Sequence, residues 1–93
     1  MDVKDYAIFV MANIKRAKLS NIMNITDKVM EEYSAKDFII ALYDALLAQN
    51  NLNKNVIHSL NYALCSIEKR GSLNIPMILD KMIISIWKEL NEQ

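Results

Sequence analysis

One glycine, one proline, one cysteine, one histidine and one tryptophan stand among 93 residues, and the formal charges cancel. Each scarcity removes a class of protein. With Gly71 alone there is no glycine-rich loop to cradle a phosphate, and little material for the tight turns that hairpins and sandwiches need. Cys65 has no second cysteine to pair with, which excludes an internal disulfide and fits a reducing compartment. His58 is the only imidazole. Cys65 follows it seven residues later, roughly 10 Å along a helix axis, beyond the reach of a nucleophile and its base. One His and one Cys do not close a zinc site either. Neither an enzyme nor a cofactor is expected. Eleven Lys and Arg balance eleven Asp and Glu, so no global field draws the chain to nucleic acid or to an anionic membrane, and nucleic acid is not expected as a partner. No apolar run approaches the ~18 residues of a membrane span. The opening MDVKDY carries acids where a signal peptide carries bases, so the expected location is cytoplasmic.

What the chain does contain is apolar side chains at helical spacing. A hydrophobic fraction of 53% with almost no turn formers points to packed helices, and the length suits one domain over residues 1–93. The expected architecture is an all-α, compact antiparallel bundle of four to five helices. Its centre is the segment 35–49, with FIIALYDALLA at its heart. Ser34 and Asp37 open that segment with a capping-box-like pattern. On a helical wheel, Ile39, Leu42, Tyr43 and Leu46 point one way, Phe38 and Ala45 another, Ile40 and Leu47 a third. Only the thin line of Asp37 and Asp44, flanked by Ala41 and Ala48, looks made for water or close backbone approach. A helix apolar nearly all round has to be surrounded. The segment is therefore expected as a shared wall, with the first two helices on one side and the last two on the other.

The other segments follow in order. The first, about 2–17, has Asp2 as its N-cap, an almost unbroken apolar centre from Tyr6 to Ala12, and Lys15, Arg16 and Lys18 near its end, where cations complement the helix dipole. The second, about 21–33, repeats Ile22, Ile25, Val29 and Met30 against Asp27, Lys28, Glu31 and Glu32, with a break expected near Asn24. Asparagines at 50, 51 and 53 suit an interhelical turn, with Asn53 capping the fourth segment. That segment, Lys54–Arg70, carries Ile57, Leu60, Leu64 and Ile67 on one face and His58, Asn61, Cys65 and Glu68 on the other. Gly71 stands at its C-terminal cap position. Pro76 falls in the first turn of the fifth segment, where its missing N–H costs nothing. The fifth segment, about 75–90, packs through Leu79, Met82, Ile83, Ile86 and Leu90.

Two surfaces are left as candidates. Met77, Ile84 and Trp87 widen the apolar sector of the fifth segment beyond what one neighbour covers, and with Lys88 they form the expected partner-binding surface. Lys15, Arg16 and Lys18 form a possible anion contact. No other grouping carries chemistry: Glu31 and Glu32 diverge by about 100 degrees on a helix, and Asp37 and Asp44 lie two turns apart.

Leu42-Tyr43-Asp44, the helix end Ile67-Glu68-Lys69-Arg70-Gly71 and the re-entry Ile75-Pro76-Met77-Ile78-Leu79 resemble the first three helices of the pediocin-like bacteriocin immunity proteins of the enterocin A immunity type. The likeness covers about the last 56 residues. Some 35 residues precede it, and the family's fourth helix and C-terminal tail, which recognise the cognate bacteriocin and its receptor complex, have no counterpart. The resemblance implies a cytosolic, non-enzymatic antiparallel bundle. Its partner would be a membrane receptor complex met from the cytosolic side, with the first two helices standing in for the absent one; a homodimer mate is the other partner expected. A second set, Glu31-Glu32-Tyr33, Ala41, Ala45, Asn50-Asn51, Ile67 and Lys69-Arg70-Gly71, is similar to the C-terminal DnaD-like module of replication-initiation proteins, which binds DNA and helicase-loading partners. Ile67 stands where that family has a tryptophan. A small phage-encoded inhibitor that covers a host protein's surface is the remaining alternative.

Overall fold

Helix ends are set by short polar side chains at the positions where backbone N–H groups lack partners. The Asp2 carboxylate accepts a hydrogen bond from the Asp5 amide at 2.8 Å, Ser34 Oγ accepts from the Asp37 amide at 3.5 Å, and Asn53 Oδ1 accepts from the Val56 amide at 3.0 Å. Each opens a helix in the computed structural model, which describes residues 1–50, 52–70 and 74–91, without the side chains of Lys15, Leu19, Met23 and Arg70. Among the described residues there are five α-helices and no strand: α1 (Val3–Asn13), α2 (Leu19–Glu32), α3 (Ala35–Ala48), α4 (Lys54–Arg70) and α5 (Ile75–Asn91). A 3₁₀ turn, Ile14–Arg16, joins α1 to α2. The result is a compact all-α bundle of 33 × 27 × 23 Å. The expected cap at Gly71 lies outside the described residues.

Two asparagines make the turns that glycine usually makes. Asn50 and Asn74 take positive φ of 57° and 59°, a left-handed geometry that asparagine tolerates better than most residues. Asn50 follows α3, and its amide donates to the Leu47 carbonyl. Asn74 precedes α5, and its carbonyl accepts from the Ile78 amide. Pro76 is the second residue of α5, where no intrahelical donor is lost.

The helices pair as α1 with α3, α4 with α5, α2 with α5 and α3 with α4. This corrects the expected wall. The first two helices do not form a pair on one side of α3; α1 lies along α3, while α2 crosses to α5. Small residues explain the first choice, since Ala7 on α1 and Ala41 and Ala45 on α3 are all buried and admit close backbone approach. Tyr6 adds a ring cluster at that end, 5.3 Å from Tyr33 and 5.9 Å from Phe38 between centroids. The Tyr33 hydroxyl donates to the Met1 carbonyl at 2.8 Å and pins the start of α1 beside the α2–α3 junction.

Helix α3 is central to the core but is not surrounded. Phe38, Ile39, Leu42 and Leu46 are buried, whereas Ile40, Tyr43 and Leu47 are exposed, Leu47 to 57%. Its neighbours cover only two flanks, which leaves an apolar stripe at 40, 43 and 47 in solvent. Helix α2 also differs from expectation, for it runs through Asn24 without a break. Asn24 lies on the exposed side, while buried Ile22, Thr26 and Val29 keep the helical period going beneath it. Helix α5 is as the spacing predicts, with Leu79, Met82, Ile83, Ile86 and Leu90 buried.

Candidate functional site

An open groove of about 710 Å³ runs between α4 and α5. The two helices lie antiparallel, since a short connection joins them at one end and Asn55 Nδ2 donates to Glu89 Oε1 at the other. Small side chains on the facing surfaces leave the space: Ser59, Ala63 and Ser66 from α4 and Ser85 from α5. Buried Met82 closes its floor. Tyr62, 66% exposed, and Met77, 51% exposed, stand at its edges. Lys69 and Lys81 line it as well, and none of its described lining residues is a carboxylate. His58 and Cys65 are also on its wall. The groove combines an apolar edge with two lysines that pair with no described carboxylate in a chain whose net charge is zero, so the balancing acids lie elsewhere on the surface.

The four residues expected at a partner surface are not one patch. Met77 belongs to the groove. Lys88 is exposed further along α5. Ile84 and Trp87 are half-buried and packed against the core. Trp87 is turned toward the junction of the 3₁₀ turn and α2, where its indole Nε1–H donates to the Ala17 carbonyl at 3.0 Å. The spacing showed the width of the apolar sector of α5, and α2 covers part of it.

The basic group divides in a similar way. Arg16 and Lys18 are exposed, and the Lys15 side chain lies outside the described residues. The last turn of α1 contains no base, because that helix ends at Asn13 and Arg16 falls in the 3₁₀ turn. Lys18 is instead the N-cap residue of α2 and makes no capping bond with its side chain. A cation there opposes the helix dipole. Arg16 borders a smaller cleft of about 280 Å³ with Phe9, Asn13, Asn21 and Ile25.

Among the described residues, two polar atoms are buried without a hydrogen-bond partner, Thr26 Oγ1 on α2 and Asp80 Oδ1 on α5. Near the aromatic cluster, burial raises the Tyr6 phenol above its ordinary value of 10.0, and the nearby Lys28 ammonium partly offsets this. The Lys28 amine is itself raised by its hydrogen bond to Glu32, with which it pairs at 3.1 Å. Among the described residues no three His, Cys, Asp or Glu side chains gather to hold a metal. No described helix is long and apolar enough to cross a membrane.

The groove is what sequence reasoning missed. Its signal was the run of small residues at 59, 63 and 66 on a helix otherwise read through its apolar face. No family model, no curated protein and no solved structure matches the chain.

Proposed function

We propose that this chain is a non-enzymatic, cytoplasmic binding protein whose docking surface is the α4–α5 groove. The observation that supports it is the pairing of exposed apolar edges, Tyr62 and Met77, with Lys69 and Lys81 in a space with no described carboxylate. A groove between two helices takes an amphipathic helix, and its charge selects one that carries acids. Bacteriocin immunity is the specific form of this reading. It draws on the resemblance from Phe38 onward, which includes Lys69 and Met77 of the groove. Expression in a strain sensitive to pediocin-like bacteriocins tests it: protection is expected against at least one peptide, and Lys69→Asp with Lys81→Asp should abolish that protection. Killing unchanged across a panel of such peptides would refute immunity.

Lys69 also belongs to the helix end Lys69-Arg70-Gly71 of the second resemblance, which supports one further reading, the DnaD-like module. It requires DNA binding at low salt that weakens steeply as salt rises and is lost when Lys69 and Arg70 become alanine. No binding to duplex or single-stranded DNA at low salt would remove it.

A further inference from the structure

We infer that the chain forms a two-fold dimer in which α3 of each copy lies over the α4–α5 groove of the other. This rests on the groove being a docking surface, and it names a second copy of the chain as an occupant. The acids that balance the groove stand on α3. Asp37 and Asp44 are exposed and form no ion pair with any described residue. They flank the uncovered stripe of Ile40, Tyr43 and Leu47. Lys36, on the same helix, is already neutralised by Glu68 of α4 at 3.2 Å.

Register makes the match more than compositional. The Lys36–Glu68 pair fixes the start of α3 beside the end of α4, so Asp37 sits at the height of Lys69. Asp44 follows seven residues on, about 10 Å along the axis. Lys81 lies six residues into α5, about 9 Å from the same end of the bundle. The two acids on α3 and the two lysines, Lys69 on α4 and Lys81 on α5, thus occupy nearly the same pair of heights. A two-fold axis parallel to the helices, passing between the α3 stripe and the groove, preserves height and sets each α3 over the other copy's groove. Asp37 of each copy then comes to the level of Lys69 of the other, and Asp44 to that of Lys81. Ile40, Tyr43 and Leu47 are brought over Tyr62 and Met77. Each contact occurs twice, as an isologous interface requires.

Sedimentation equilibrium over micromolar to millimolar protein tests the inference. The wild-type mass should rise twofold, to a dimer and no further, with the transition moving to higher concentration as salt is added. Asp37→Lys with Asp44→Lys should be monomeric throughout, as should Lys69→Asp with Lys81→Asp. An equimolar mixture of the two should regain the dimer, because each supplies the complement of the other, and that recovery shows both variants to be folded. A wild type that stays monomeric refutes the dimer, and so does an acid-to-lysine variant that dimerises as the wild type does. The acid-to-lysine variant keeps an intact groove. If it still confers protection or captures an acidic helical partner while the wild type is monomeric, the dimer fails and the groove reading stands.

Discussion

Replacing Trp87 separates a core residue from a partner-surface residue. Its indole N–H donates to the Ala17 carbonyl, 70 positions away in sequence, and its ring packs against the core beside α2. Trp87→Phe keeps most of the ring contact and removes the hydrogen bond, a loss of about 1 kcal/mol. Trp87→Ala removes the ring too. Full burial would make that cost about 3–5 kcal/mol, but Trp87 is only half-buried, which brings the expected loss down to about 2–3 kcal/mol. For a domain of this size each kcal/mol lowers Tm by about 4–8 °C. The expected order is therefore wild type, Phe variant lower by about 4–8 °C, Ala variant lower by about 10–20 °C. Far-UV circular dichroism during heating reads all three, and the wild type's single tryptophan allows a second probe whose transition should coincide. A loss under about 1 kcal/mol for Trp87→Ala would refute the packing argument. It would return this side chain to the list of surface residues.

Four further outcomes follow from burial, capping and charge. Leu42→Ala, at a side chain with no exposure, should cost about 2–5 kcal/mol in urea denaturation; a smaller value would place the centre of the core away from α3. Thr26→Val should stabilise by about 1 kcal/mol, since the hydroxyl is buried without a partner and valine keeps its shape; a loss of stability would reveal a hydrogen bond to trapped water. Lys18→Asp places an acceptor and a negative charge at the uncapped start of α2 and should raise stability by about 1 kcal/mol; no gain would mean that Lys18 has a compensating role. Because Tyr6 has its pKa raised on folding, its contribution is complete below pH 10 and is lost as pH climbs through the folded-state value. Tyr6→Phe should flatten the alkaline fall in urea midpoint, and an unchanged pH profile would contradict the shift.

The helices were legible because each level of local chemistry agreed. Asp2, Ser34 and Asn53 are short oxygen-bearing side chains where helices begin, and the apolar spacing of α4 and α5 has one solution on a helical wheel. Pairing between helices was less legible, since an apolar face does not say which neighbour covers it. Ala41 and Ala45 mark where α3 admits a close neighbour and Ala7 gives α1 a matching small side chain, but neither helix says on its own that the two meet. The Trp87 bond to Ala17 had no sequence signal at all, because any exposed carbonyl at the right place would serve. The groove belongs to the same class, as a space between two helices that neither helix encodes alone.

Helix α3 shows where composition stops being a guide. Its eleven-residue core stretch has one acid, Asp44, and is otherwise apolar, which on the wheel reads as burial on nearly every side. In the structure the inward direction belongs to Phe38, Ile39, Leu42 and Leu46, and the outward direction to Ile40, Tyr43 and Leu47. Folding one copy cannot resolve that excess, because the two remaining flanks of α3 are already taken by α1 and α4. Isolated exposed leucines are ordinary on a protein surface. A stripe of three at helical spacing, bordered by two acids at the heights of two lysines, none of the four in an ion pair with a described residue, is a pattern with a complement on the same chain. Under that argument the apolar character of α3 serves two interfaces, one inside the fold and one between copies, and substitutions should divide accordingly. Leu42→Ala should lower the monomer's own stability without a concentration term, while Leu47→Ser should leave the monomer's melting curve within about 0.5 kcal/mol of wild type and shift only the monomer–dimer transition. If Leu47→Ser destabilised the monomer as strongly as Leu42→Ala, the stripe would belong to the core and the second interface would be lost with it.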